Sequence, residues 1–294
     1  MGYEAEIIAD SIGPNGIRLT TFRVRYPRFI HAEFLRHRSL SRSVKSSRAK
    51  PIKHVIKEVL DDPVFPLAWG KNKKGMQSSK KEIKYPWLAN QVWKFGLYTS
   101  LLTQYLLNKL GVHKQYSNRV SEPYLFVDEL ITATNFDNLF NLRIHNDSQP
   151  EAQKIVSMMA KLYYNSTPKK LEVGEWHLPY INDDEREIYN IKDLLKFSAA
   201  RCARISYKTF DGNSANPQDD LNLWEKLNLE GNKDHQKYPP HSSPAEAQGM
   251  ATDEYKWSGN FYGWVQHRKL LKNECCDKFD KNRLEKYKEK DYII

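Results

Sequence analysis

The 294-residue sequence predicts an α+β protein. Three observations carry that reading. Phe22, Arg23, Val24, Arg25 and Tyr26 alternate apolar and charged, the two-residue period of a half-buried strand. Ile155, Met158, Met159, Leu162 and Tyr163 recur at the spacing of one helix face. Strand and helix signals are intermixed, with no internal repeat and no firm boundary, so residues 1–294 read as one domain.

Taken in order, residues 5–30 read as β-structure, with Pro14, Asn15 and Gly16 as the turn. Residues 30–35 read as a short helix. Residues 66–86 are polar and basic with two glycines, a flexible surface loop. The long helix that follows, residues 87–110, stops at Gly111. Its Leu88, Val92, Phe95, Leu102 and Leu106 are expected to form one buried face. Residues 125–132 are ambiguous between strand and helix. Residues 148–165 read as a helix with Ser148 and Glu151 at capping-box spacing and Pro150 in the first turn. Its methionines are core filler. Further helices are expected at 191–201 and near 219–227. A C-terminal extension runs over about 207–294, and its charged last twenty residues read as a solvated helix.

Composition narrows the class. The chain is 40% hydrophobic and 12% aromatic, a globular balance, while 28% charged residues bring the mean hydropathy to −0.73. No run approaches the ~20 apolar residues of a membrane span. The acidic N-terminus carries no signal peptide, and Glu6 stands where a myristoylation motif needs Ser or Thr. Cys202, Cys275 and Cys276 make a poor disulfide framework, and without a Cys-x-x-Cys pair no metal site is expected. The chain therefore reads as a reduced, cytoplasmic protein. A net charge of +10 fits a nucleic-acid partner or a site for small polyanions.

Residues 36–48 concentrate that charge: RHRSLSRSVKSSR holds four arginines, a lysine, a histidine and five serines. Three readings are open. One is a solvated face, one an arginine–serine tail or localisation signal, and one an anion site. In the last, guanidinium forks, hydroxyls and amides would cage phosphate.

The segment resembles the signature of the flavin-dependent thymidylate synthase family: Arg36-His37-Arg38, then Ser41, then Ser46 and Arg48. The resemblance extends to NRVSEP from Asn118, NLFNLR from Asn138, ARCARISY from Ala200 and HSSPAEAQ from His241. It is to a divergent, longer branch. In the common form the last two motifs precede R-H-R, and here they follow it. SSRA from Ser46, HKQYSNR from His113, GEWHLPY from Gly174 and SGNFYGW from Ser258 resemble segments of such longer members.

The resemblance implies an α+β fold with a central antiparallel sheet flanked by helices. It implies transfer of a one-carbon unit from methylenetetrahydrofolate to C5 of dUMP, with the hydride supplied by FAD that NADPH reduces. Arg36, His37, Arg38, Asn138 and His241 would line the flavin. Glu33, Ser46, Ser47, Arg48, Arg119 and Arg143 would hold the nucleotide. Arg143, Arg38 and His37 would take part in catalysis, with no enzyme thiol as nucleophile. Members of the family are homotetramers with shared sites. Departures stand beside the match. Ser43-Val44 replaces an Asn-Glu pair, Glu33 a glutamine, and Thr134 a flavin-contacting arginine. A rebuilt pocket leaves a dUMP or dCMP 5-hydroxymethylase as the alternative. A basic nucleic-acid-binding protein is a further one.

Overall fold

The structure, a computed structural model, describes residues 2–75, 77, 81–208, 216–234, 237–276, 279 and 281–282. The chain begins with an antiparallel hairpin, β1 (Glu4–Ile12) and β2 (Arg18–Pro27), turned at Gly16 with φ +76. A one-turn helix α1 (His31–Phe34) leads through the R-H-R loop into β3 (Ser41–Val44). Then come α2 (Ile52–Asp61), α3 (Pro86–Lys109), α4 (Lys114–Ser117), β4 (Phe126–Ala133), α5 (Asp137–Arg143) and α6 (Pro150–Asn165). The second half carries β5 (Lys169–Lys170), β6 (Trp176–His177), α7 (Asp183–Ile188), α8 (Ile191–Arg204) and α9 (Pro217–Leu227). Four short strands follow: β7 (Gly249–Ala251), β8 (Trp257–Ser258), β9 (Phe261–Tyr262) and β10 (Trp264–Gln266).

Among the described residues the main sheet runs β3-β4-β2-β1-β5. It is antiparallel except for the two-residue β1·β5 edge. A small sheet runs β10-β7-β6, and β8 pairs with β9 alone. The fold class expected from the sequence is therefore the one observed.

Both faces of the main sheet are covered. Phe22, Val24 and Tyr26 of β2, with Val127 and Ile131 of β4, pack on Ile155, Val156 and Met159 of α6. On the reverse face Leu130 meets Tyr180, Cys202 and Ile205, and Leu19 meets Phe261 and Trp264. Burial on both faces explains why residues 125–132 show no alternation although they form a strand. A buried polar string crosses the reverse face. Ser11 Oγ and His177 Nδ1 are 2.9 Å apart, His177 Nε2 and Thr21 Oγ1 2.8 Å, and Thr21 Oγ1 and Thr132 Oγ1 2.8 Å.

Two expectations are corrected. The face of α3 expected inside is exposed: Val92 is 64%, Phe95 70% and Leu102 56% accessible. The helix instead docks on α2 and Tyr124 through Trp93, Leu97 and Leu101. Gly96 permits that approach, since a Cβ there would meet the Tyr124 hydroxyl at 2.6 Å. The capping box before α6 is not formed. Gln149 is the N-cap, without a side-chain cap bond, and Glu151 turns its carboxylate to the Leu67 amide at 2.7 Å. Helix α8 extends three residues past its expected end, and α9 begins with a capping box of Asn216 and Asp219. In the 66–86 segment the described residues close on themselves through a Gly70–Glu82 bridge. Most of the last twenty residues lie outside the described ones. No helix among the described residues is long and apolar enough to cross a membrane.

Candidate active site

The R-H-R loop is held from both ends. Arg42 of β3 donates to the Phe34 carbonyl and, at 3.2 Å, to that of Leu35, closing the C-terminus of α1. Buried Leu40 pins the far end. The loop's side chains then divide. Arg36 and Arg38 are exposed and have no hydrogen bond or ion pair among the described residues. His37 points inward and is buried.

Arg143, the last residue of α5, donates from Nε to His37 Nε2 at 3.0 Å and from Nη2 to the Glu33 carbonyl at 3.1 Å. A guanidinium has no acceptor, so His37 Nε2 must carry the lone pair and Nδ1 the proton. Burial and the charges of Arg143 and Arg42 lower the His37 pKa to about 4, so the ring is neutral at neutral pH. Oε2 of Glu33 is buried without a hydrogen-bond partner among the described residues.

His37, Ser39, Thr134, Asn138, Trp257 and Asn260 surround a cavity of about 200 Å³. Three segments far apart in sequence supply these walls. The R-H-R loop gives the first, and the end of β4 with the start of α5 gives the second. The β8–β9 hairpin gives the third and is tied down in two places. Thr134 Oγ1 accepts from the Tyr262 amide at 3.3 Å, and Ser41 Oγ accepts from Asn260 Nδ2 at 3.3 Å. Gln266 Nε2 also donates to Ser41 Oγ, at 2.9 Å. Asn138 caps no helix here; it lines the cavity. Sequence reasoning missed Trp257, Asn260, Ser39 and Asn135. The segment from Ser258 to Trp264, noted for its resemblance, was the available signal.

A second group sits at the other end of β3, four strand residues or ~13 Å along. Ser46 caps the turn that holds Ser47 and Arg48, accepting from the Arg48 amide. Ser47 Oγ donates to Glu122 Oε1 at 2.6 Å, Arg119 pairs with Glu122 at 3.6 Å, and Arg28 with the same carboxylate at 3.4 Å. Fully buried Asn118 stitches the loop in place. It donates to the Ser47 and Lys50 carbonyls at 2.9 and 3.1 Å and accepts from Gln104 at 3.0 Å. Ser47 and Arg119 thus meet at Glu122, with Ser46 and Arg48 on either side of Ser47 in the chain. No hydrogen bond or ion pair among the described residues joins them to Arg143.

His241 is exposed and is not a wall of the cavity. Its amide donates to the Leu227 carbonyl at 2.9 Å, beside α9. The neighbouring motif residues are internal. Arg201 donates to Asp220 and Glu185 at 2.8 and 2.6 Å, Arg204 pairs with Asp220, and Gln248 Nε2 donates to Ser198 Oγ at 3.1 Å. Cys202 lies among them, its thiol pushed up to about 12 by burial, so it offers no thiolate at neutral pH.

No family model matches the chain, and no curated protein matches it. Among solved structures the chain is similar to the UMP/dUMP methylase PolB from Streptomyces cacaoi. In the form bound with 5-Br UMP the identity is 13%, over 55% of this chain and 88% of that one, with a TM-score of 0.43. In the form bound with 5-Br dUMP it is 14%, over 50% of this chain and 65% of that one, with a TM-score of 0.39.

Proposed function

We propose that the chain transfers a one-carbon unit from methylenetetrahydrofolate to C5 of dUMP, with FAD as hydride carrier and NADPH as its reductant. The observation that carries this reading is a convergence. The R-H-R loop and the start of the Asn138–Arg143 helix, both noted from sequence, enclose one cavity with the Trp257–Asn260 hairpin, and Arg143 holds its wall residue His37 from behind.

The residues present fit one end of a flavin. The cavity is smaller than the ~300–1,000 Å³ that encloses a whole ligand, so one chain grasps a ring edge at most. Arg36 and Arg38, unpaired among the described residues, are cations suited to the negative edge of a reduced ring. The neutral His37 keeps an Nδ1–H donor, and Asn138 and Asn260 offer amides to ring carbonyls and N–H groups. When bound, FAD supplies the hydride that, with the methylene carbon, completes the C5 methyl as the C5 proton leaves. Arg143 keeps Nη1 free among the described residues for a pyrimidine carbonyl. Ser46, Arg48 and Arg119 are the candidates for the nucleotide phosphate, while the Ser47 hydroxyl is spent on Glu122. The two groups lie at opposite ends of β3, which suits the reading that a homotetramer completes each site with residues of a second chain.

The test is an absorption spectrum of the purified protein. Anaerobic incubation with methylenetetrahydrofolate and dUMP or dCMP follows, with mass analysis of the nucleotide. Flavin bands and a gained methyl on dUMP are expected. A gained hydroxymethyl reassigns the reaction to the hydroxymethylase, and absence of flavin and of turnover overturns the enzyme reading.

A further inference from the structure

Leu88, Val92, Phe95, Thr99, Leu102 and Leu106 lie along the outer face of α3 at alternating steps of four and three residues. That is a 3.5-residue period, the seam by which one helix packs against another. Nothing in the described structure covers it, and the in-chain contacts of α3 use Trp93, Leu97 and Leu101 instead. Thr99, the one polar member, turns its hydroxyl back on its own helix, bonding the Phe95 and Gly96 carbonyls at 3.1 and 3.0 Å. It leaves no donor unsatisfied in a dry seam. Helix α3 contains no acidic residue, and its Lys94 and Lys109 lie over the rings of Tyr98 and Tyr105, beside the seam rather than in it.

We propose that this seam pairs with the same seam of a second copy of the chain, antiparallel, about a twofold axis at the level of Leu97. The pairing is set by size. The axis brings Leu88 opposite Leu106, Val92 opposite Leu102 and Phe95 opposite Thr99, so the bulkiest residue meets the smallest. Parallel pairing would stack Phe95 on Phe95 and Thr99 on Thr99, a crowded layer next to a polar one. The same axis carries Leu110, 79% exposed, to the level of Lys84 on the other copy. There Trp69, Ile83, Tyr85, Leu88 and Val92 line an apolar groove of about 500 Å³.

The area suffices. Trp87, Phe95, Tyr98 and Tyr105 each expose about half or more of an aromatic side chain, out of the ~150–250 Å² such a residue can bury. With Leu88, Val92, Leu102, Leu106 and Leu110 the face approaches the ~800 Å² per partner of a stable interface. It is far larger than the scattered apolar residues a monomer leaves in water. A lipid surface asks only for a broad apolar face, whereas the 3.5-residue spacing is specific to a helix. The inference stands on α3 and not on the flavin chemistry: absence of flavin leaves the seam untouched, whereas a monomer would overturn the seam and the shared site together.

The experiment uses the full chain, with the exposed Cys275 and Cys276 replaced by serine. Sedimentation should show an even-numbered assembly. Phe95→Glu with Leu102→Glu should weaken this contact about a hundredfold or more while the far-ultraviolet dichroism stays unchanged, because both positions are exposed. Val92→Cys and Leu102→Cys chains, mixed and oxidised, should form a disulfide-linked dimer, and neither should do so alone. A monomer at micromolar concentration overturns the proposal. So does an assembly untouched by the double glutamate variant, or a disulfide from Val92→Cys alone, which marks parallel pairing. A monomer that co-sediments with anionic phospholipid vesicles assigns the face to membrane instead.

Discussion

Arg143 Nε donates to His37 Nε2 at 3.0 Å, and this one bond fixes the tautomer of the histidine nearest the cavity. His37 then serves as a neutral Nδ1–H donor; its lone pair is taken, so it is no general base. In nitrogen-15 spectra its ring should stay neutral from pH 8 down to about 5 and titrate near 4. Arg143→Lys removes the Nε donor. Lysine keeps the positive charge and the burial, so the ring should still titrate well below 6.5, while flavin retention should fall about tenfold or more, the worth of one charge-assisted hydrogen bond.

Acid should unfold the protein early. Burial holds His31, His37 and His267 down to about 4 and His177 to about 3. The unfolded chain protonates these rings near 6.5, so stability is intact above that pH and is lost as pH falls toward 4. Each contributes up to ~1.4 kcal/mol per pH unit. Glu129 works in the opposite sense. Burial raises it to about 7, so its cost is absent below 4.5 and complete above 7. Four histidines outweigh one carboxyl between pH 6 and 4.5, and the thermal midpoint should drop steeply there. Glu129→Gln should raise the midpoint at pH 8 and lose that advantage below pH 4.5.

Asp220 is fully buried between two arginines that are themselves buried. Asp220→Ala strands the Arg204 guanidinium, while Arg201 keeps Glu185 and the Tyr180 carbonyl, and should cost ~3–5 kcal/mol in urea unfolding. Asp220→Asn keeps acceptor oxygen and should cost less. A loss under 1 kcal/mol for the alanine variant would show that this network does not hold α8 to α9.

Asn118→Ala should release the Ser46–Ser47 loop. Two carbonyls lose their donor and Gln104 loses its acceptor, so ~2–3 kcal/mol of stability should go with it. Because Asn118 lies below the loop rather than at its surface, dUMP affinity should fall through disorder. The salt dependence of binding, which counts phosphate contacts, should stay unchanged.

What the sequence made legible follows the length of each pattern. The α6 stripe spans two turns and placed Ile155 and Met159 in the core correctly. The alternation at Phe22–Tyr26 found β2 for the same reason. Helix α3 was located, yet its apolar face was assigned inside, because periodicity says that a face is covered and not by what. Strands β6 to β10 hold two or three residues each, too few for any period to register. The site shows the same division. His37 and Asn138, which line the cavity, and Arg143, which bonds His37, sit in motifs that the sequence displays. Trp257 and Asn260 were not readable, because a tight hairpin brings them in from more than two hundred residues away. His241 was read as a flavin-site group, and the structure leaves it on the surface, away from the cavity.

That distance has a consequence for how the molecule comes into being. The loop of residues 36–40 and the first turn of α5 can meet once β4 has added to the main sheet, early in the chain. The wall formed by Trp257 and Asn260 waits for β8, β9 and β10 to be made, and its bonds to Ser41 close a loop of some 220 residues. Contacts of such separation form late and slowly. The cationic loop therefore spends most of synthesis on an unfinished cleft, and ligand retention becomes a report that the last-made strands have docked.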